Sequence, residues 1–168
     1  MPLSMYDASV PAFVRMLNQL DQMLDKAAAH AEAKKIDPLV LTGARLAPDM
    51  FPLSRQIVIA CDFCKGALSR LAGKDVPNWP DTETAIPELK SRIAKTLEYV
   101  KGFKAGDIDG SETRQIKIKA GTLEMEFQGS DYLTYFVLPN LYFHSTAAYA
   151  ILRHNGLELG KSDFMGSL

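Results

Sequence analysis

Residues 114–128, "RQIKIKAGTLEMEFQ", decide how the chain is read. Ile116 and Ile118 alternate with Lys117 and Lys119; Leu123, Met125 and Phe127 then alternate with Glu124 and Glu126. A period of two belongs to a strand, where successive side chains point to opposite faces. Folding the segment at Ala120-Gly121 sets Ile118 against Leu123, Ile116 against Met125 and Lys117 against Glu124. Apolar residues then share one face and opposite charges meet on the other, which predicts an antiparallel hairpin. Ala-Gly is not a favoured two-residue turn, so a bulge or a longer loop fits there as well.

On both sides of this segment the period is that of a helix. Val10, Phe13, Val14, Leu17, Leu20, Leu24, Ala27, Ala28 and Ala31 recur at three- and four-residue spacing and predict a first helix. Ser4 or Asp7 can cap it, Pro11 would kink it, and it fades at Lys34-Lys35 into a loop through Asp37-Pro38 and Gly43. A second helix is expected from Pro48-Asp49 to Ala72, with Met50, Leu53, Ile57, Ala60, Cys61, Cys64, Leu68 and Leu71 inward. Arg55, Asp62, Lys65 and Ser69 would line its outward face. The turn-rich run from Lys74 to Asp81 bars regular structure. A third helix carries Ile86, Leu89, Ile93, Leu97 and Val100 on one side and ends at Gly102.

After the hairpin, Ser130 or Asp131 would cap a fourth helix that Pro139 bends and Asn155-Gly156 closes. From Tyr132 to Leu152 this helix has no formal charge, and its length is close to a membrane span of about 20 residues. Pro139, Asn140, His144, Ser145, Thr146 and four tyrosines interrupt it, so it reads as the central helix of a bundle. The last dozen residues read as a tail. The expectation is one all-α domain, residues 1–168, a four-helix bundle with a β-hairpin inserted between helices three and four.

The bulk numbers narrow the function. With 168 residues, 47% hydrophobic and 23% charged, the chain can bury a core without staples. Nineteen basic residues against 20 acidic ones give a net charge of -1, with no basic cluster for nucleic acid. Two cysteines are too few for a secreted disulfide scaffold, and no leader or membrane span is evident, so a cytoplasmic location is expected.

Cys61 and Cys64 match C-x-x-C but fall about three turns inside a helix, on its apolar side. There the dipole gives a thiolate no help, and no second pair completes a zinc site, so core packing is the reading. His144 and His154 stand roughly 15 Å apart along one helix and cannot share a metal. His154 and His30 lie in final helical turns and read as surface residues. His144 lies deep in the charge-free helix with Asn140 one turn before it on the same face. The tyrosines at 135, 142 and 149 form a seven-residue ladder whose hydroxyls reach the rim.

Two stretches, "MFPLSRQIVIACDFCKGALSRLAG" and "FHSTAAYAILRHNGLELGKSDFMG", together with the order of elements, resemble the DinB/YfiT-like superfamily, in a bacterial branch known only as a domain of unknown function. That superfamily implies a metalloenzyme fold in which one histidine from helix two and an H-x-x-x-H pair from helix four bind a divalent metal, commonly zinc or nickel. Some members use the metal to activate a low-molecular-weight thiol. On this resemblance His144 matches the second histidine of the pair, Asn140 stands in place of the first, and Gln56 is the nearest polar residue on helix two. One imidazole with two neutral amides is a poor donor set for a divalent metal. The expectation is therefore a degenerate metal site, with no cofactor, and a pocket for a small molecule lined by Gln56, Asn140, His144 and Tyr142. If a metal does bind, His144 with Asn140 and Gln56 would hold it. Two alternatives stand beside this reading: a metal-dependent thiol transferase or hydrolase, and a non-catalytic dimeric interaction protein. A homodimer that contacts neither nucleic acid nor membrane is expected.

Overall fold

A computed structural model describes residues 3–120 and 122–166. Ser4 opens helix α1, Met5–Lys34: its Oγ accepts the Asp7 N–H at 3.1 Å and satisfies one orphan donor of the first turn. The helix stops where Lys35 turns left-handed, at φ 56°. Phe13, Leu17, Leu20, Leu24, Ala27 and Ala31 are buried along one stripe, as their spacing predicts.

Helix α2, Pro38–Gly43, occupies part of the expected loop. Asp37 caps it through the Leu39 N–H, and Pro38 at the first helical position has no N–H to waste. Helix α3 runs Leu53–Leu71 rather than starting at Pro48-Asp49. Pro52, extended at φ -70° and ψ 165°, is its boundary, and a proline disfavours helical backbone in the residue before it. Helix α4 spans Ile86–Lys101, followed by a single turn, α5, Ala105–Ile108.

Strands β1, Gln115–Ala120, and β2, Leu123–Gln128, pair antiparallel. The register differs from the expected one by two residues: Ile116 faces Phe127, Ile118 faces Met125, and Ala120 faces Leu123. The connection is therefore residues 121–122, and Gly121 lies outside the described residues. An even shift keeps every side chain on its face, so the alternation could not discriminate the two registers. Charge pairing survives, with Lys117 against Glu126 at 2.7 Å and Lys119 against Glu124 at 3.6 Å.

The last helical run has three parts: a turn α6, Gly129–Asp131, a π-helix, Tyr132–Val137, and α7, Leu138–His154. Gln128, not Ser130 or Asp131, precedes the first turn, and it makes no side-chain cap bond. The expected bend at Pro139 is a widened turn just before it. Proline has no N–H, and its ring in an α-helix presses on the carbonyl four residues back, that of Tyr135. A wider turn, with Leu138 N–H bonding to Leu133 O, accommodates the ring. Gly156, at φ 89°, closes α7.

The expected tail is not loose. Leu157 and Leu159 are buried, and α8, Lys161–Met165, packs on α1. Arg153 donates to Leu157 O, and Lys26 pairs with Asp163 at 2.7 Å.

The four long helices enclose one core, with α3 against α7 and α4, and α1 against α4. The face of α3 expected to point outward is partly covered. Lys65 and Ser69 are buried: Trp79 of the strap 72–85 lies against Lys65, and Tyr99 of α4 bonds to Ser69. Arg92, 3% exposed, anchors that strap through Asp81, Glu83 and the Pro80 carbonyl, and it also reaches Asp62. Cys61 and Cys64 are buried free thiols in the α3 interior. Among the described residues no helix is long and apolar enough to cross a membrane.

Candidate functional site

Gln56, in the first turn of α3, and His144, in the second turn of α7, meet across the tightest helix pair in the fold. Gln56 is 1% exposed and His144 9%. His144 Nδ1 lies 2.7 Å from Gln56 Oε1, and Gln56 Nε2 donates to the Phe51 carbonyl at 3.1 Å. The second contact fixes the first. An amide nitrogen must face a carbonyl, so the amide oxygen faces the ring and Nδ1 carries the proton. Burial disfavours the imidazolium and lowers the His144 pKa below its usual 6.5. The ring is therefore neutral at pH 7, with its lone pair on Nε2, and Nε2 makes no hydrogen bond among the described residues.

Two aromatic rings fix the imidazole plane. Phe63 stacks on it with centroids 5.9 Å apart and planes 22° apart, and Phe143 meets it edge-on at 5.2 Å. Phe63 also touches Phe136 and helps wall a cleft of about 190 Å³ beneath the hairpin, where Arg70 donates to the Tyr132 hydroxyl. What results is an oriented hydrogen-bond acceptor, or a weak base, set in an aromatic wall.

Of the four residues expected in this pocket, Gln56 and His144 come together and the other two do not join them. Asn140 is half-buried and turns its amide onto its own helix, donating to the Phe136 carbonyl at 2.7 Å. That carbonyl belongs to the widened turn, where the helical ladder is disturbed. Tyr142 stands about 200° round α7 from His144. It lines a different cleft of about 420 Å³ with Pro11, Met16 and Phe164. Phe63 and Phe143 were not singled out from the sequence. Phe63 sits inside the Cys61–Cys64 motif and Phe143 beside His144, so adjacency was the one available signal. His154 is exposed and His30 half-buried, both far along their helices from this pair.

The arrangement does not suit a divalent metal. Both polar ends of Gln56 are engaged, the Asn140 amide is held by its own helix, and one imidazole nitrogen is left. Among the described residues no three His, Cys, Asp or Glu side chains converge. A structural divalent site draws on several such ligands.

Residues 5–165 match the family model described as Domain of unknown function (DUF1993). The chain is also similar to a crystal structure of a DinB family member protein from Shewanella denitrificans, at 43% identity and a TM-score of 0.88. The match covers 97% of this chain and 92% of that one. No curated protein matches it.

Proposed function

The chain belongs to the DUF1993 family, with a DinB-like helical bundle, and from that premise we propose that it binds a small molecule at His144. The supporting observation is the Gln56–His144 bond, which holds the ring as the Nδ1–H tautomer with a bare Nε2. A ligand hydroxyl or amide N–H donates to Nε2, while Phe63 and Phe143 offer apolar contact. Gln56 positions the ring and does not itself touch the ligand, since both ends of its amide are used. Catalysis by a bound divalent metal, and with it thiol transfer of the superfamily type, finds no matching donor set here.

A thermal-shift screen against small metabolites tests the reading. The expected result is a compound that raises the Tm of the wild type and leaves His144→Phe unmoved. If every stabilising compound acts equally on both, His144 is not the contact and the proposal fails.

A second reading, association with another copy of the chain, is favoured by Phe51 and Phe143. They are 54% and 58% exposed and flank the Gln56–His144 pair. Sedimentation of the wild type against a Phe51→Ser/Phe143→Ser variant decides it: a dimer that dissociates in the variant supports the reading, and a wild-type monomer removes it.

A further inference from the structure

A further cleft, of about 470 Å³, lies between the C-terminal half of α4 and the strap. Its volume falls within the range of small-ligand pockets. Three rings form its floor in series: Trp79 meets Tyr99 edge-on at 5.9 Å, and Tyr99 meets Phe103 edge-on at 5.2 Å. The floor is rigid. The Tyr99 hydroxyl is 2.8 Å from Ser69 Oγ, which in turn donates to the Lys65 carbonyl at 2.9 Å, both in the buried part of α3. Trp79 is held from the protein side by Lys65, 4.6 Å from its ring centre, and by Arg92 at 5.4 Å.

Two ammonium groups stand at the ends of this floor. Lys74 lies 5.0 Å over Phe103 and pairs with Asp107 at 3.3 Å. Lys95 lies 4.3 Å over Trp79, and among the described residues it has that ring contact and no carboxylate partner. Glu98 is the one acidic residue on the lining. Ring faces ordinarily attract cations, but here the chain's own lysines already occupy them, and an incoming cation meets two like charges. We propose that this cleft binds an aromatic carboxylate, its ring packed against Tyr99 beside Trp79 and its charge on Lys95.

This site is independent of His144. Ser69 and Gln56 are thirteen residues apart on α3, about 20 Å along the helix. Trp79 is the sole tryptophan, so its indole N–H gives one assignable resonance. The test titrates isotope-labelled protein with 2-naphthoate and with its neutral isostere 2-naphthamide. The expected result is a saturable shift of the Trp79 indole signal with naphthoate, and binding of the amide about 3- to 5-fold weaker, the loss of one exposed charged contact. Lys95→Gln should weaken naphthoate by about the same factor while leaving the amide within about 2-fold, whereas His144→Phe should bind both as the wild type does. No saturable shift, equal affinity for acid and amide, or indifference to Lys95→Gln overturns the proposal.

Discussion

A double-mutant cycle across Gln56 and His144 measures how much of the fold rests on their contact. Gln56→Leu keeps the volume and removes both polar ends. The His144 Nδ1–H and the Phe51 carbonyl then lose their partners, one fully buried and one partly so. An orphaned buried group costs about 1–3 kcal/mol, and the added apolar contact returns part of this, so a loss of about 2–4 kcal/mol is expected. His144→Phe keeps a ring between Phe63 and Phe143 and orphans the Gln56 oxygen, which costs about 1–3 kcal/mol. In the double variant neither orphan across the helix pair remains, and only the Phe51 carbonyl is short of a donor. Its loss should be about 1–2 kcal/mol, well under the sum of the singles. Urea unfolding at pH 7.5, with m-values checked for two-state behaviour, reads all four proteins. A coupling of at least about 1.5 kcal/mol is the expected outcome; additivity within about 0.5 kcal/mol would refute the geometry.

Four other outcomes follow from particular residues. The His144 pKa is lowered by burial, so the unfolded chain takes up the proton first and the ring's contribution to stability is present above about 6.5 and is lost as pH falls below it; relative to His144→Phe, the wild type should weaken between pH 7 and 5, and a constant difference would contradict the burial. Burial pushes the Cys61 thiol up to about 12 and Cys64 well above its usual value, leaving about one thiolate in 10⁴ for Cys61 at pH 8; a thiol reagent should label the native protein orders of magnitude more slowly than the unfolded one, and comparable rates would return the motif to redox chemistry. Gly129→Ala puts a β-carbon into the Ser111 carbonyl where the hairpin enters the last helical run, so a loss of more than about 2 kcal/mol is expected in thermal or urea melts. Arg92→Met removes the cation shared by Asp62, Asp81 and Glu83; Asp62 keeps Lys65 and Asp81 keeps Arg55, so Glu83 alone loses its ion pair, and the change should cost about 2–3 kcal/mol with early proteolysis between residues 72 and 85; wild-type protease resistance would show that the strap is held by other contacts.

The four long helices were legible because each buries a broad stripe, and a stripe needs apolar residues at fixed spacing. The errors cluster where local chemistry rather than spacing decides. Asp37-Pro38 is a cap followed by a first-position proline, yet the helix it opens, six residues with Pro38 included, is too short to show a period. Met50 belongs to the apolar stripe of α3 by spacing, but Pro52 starts the helix after it. Leu157 and Leu159 are buried on an irregular segment, which periodicity cannot register. Lys65 and Ser69 read as solvent-facing because the sequence of α3 contains nothing of Trp79 and Tyr99, which lie against them. That information lies outside α3, in Trp79 and in Arg92, which binds the strap's carboxylates.

The candidate site was half legible for a related reason. Helical spacing places Asn140 and His144 on one face, and both do lie on it, but facing a pocket is not the same as being free to act in it. Asn140 follows a proline, and its side chain is drawn to the Phe136 carbonyl of a turn widened to fit that proline. The residue that looks like a substituted metal ligand is thus occupied with the backbone of its own helix. Gln56 is likewise occupied, but usefully: with its nitrogen on the Phe51 carbonyl, its oxygen can do only one thing to His144, which is to accept the Nδ1 proton. That tautomer decides that Nε2 accepts and does not donate. Gln56→Glu separates the two roles of this residue. The carboxylate accepts from Nδ1 as the amide does but cannot donate to Phe51, and its charge favours the imidazolium. The His144 pKa should rise from its lowered value, and any ligand that donates to Nε2 should bind the variant more weakly as the pH falls, in proportion to the protonated fraction. Nitrogen-detected NMR titration of the ring reads the pKa directly. An unchanged pKa in Gln56→Glu would mean that the 2.7 Å contact does not set the state of the ring, and the binding proposal would lose its support.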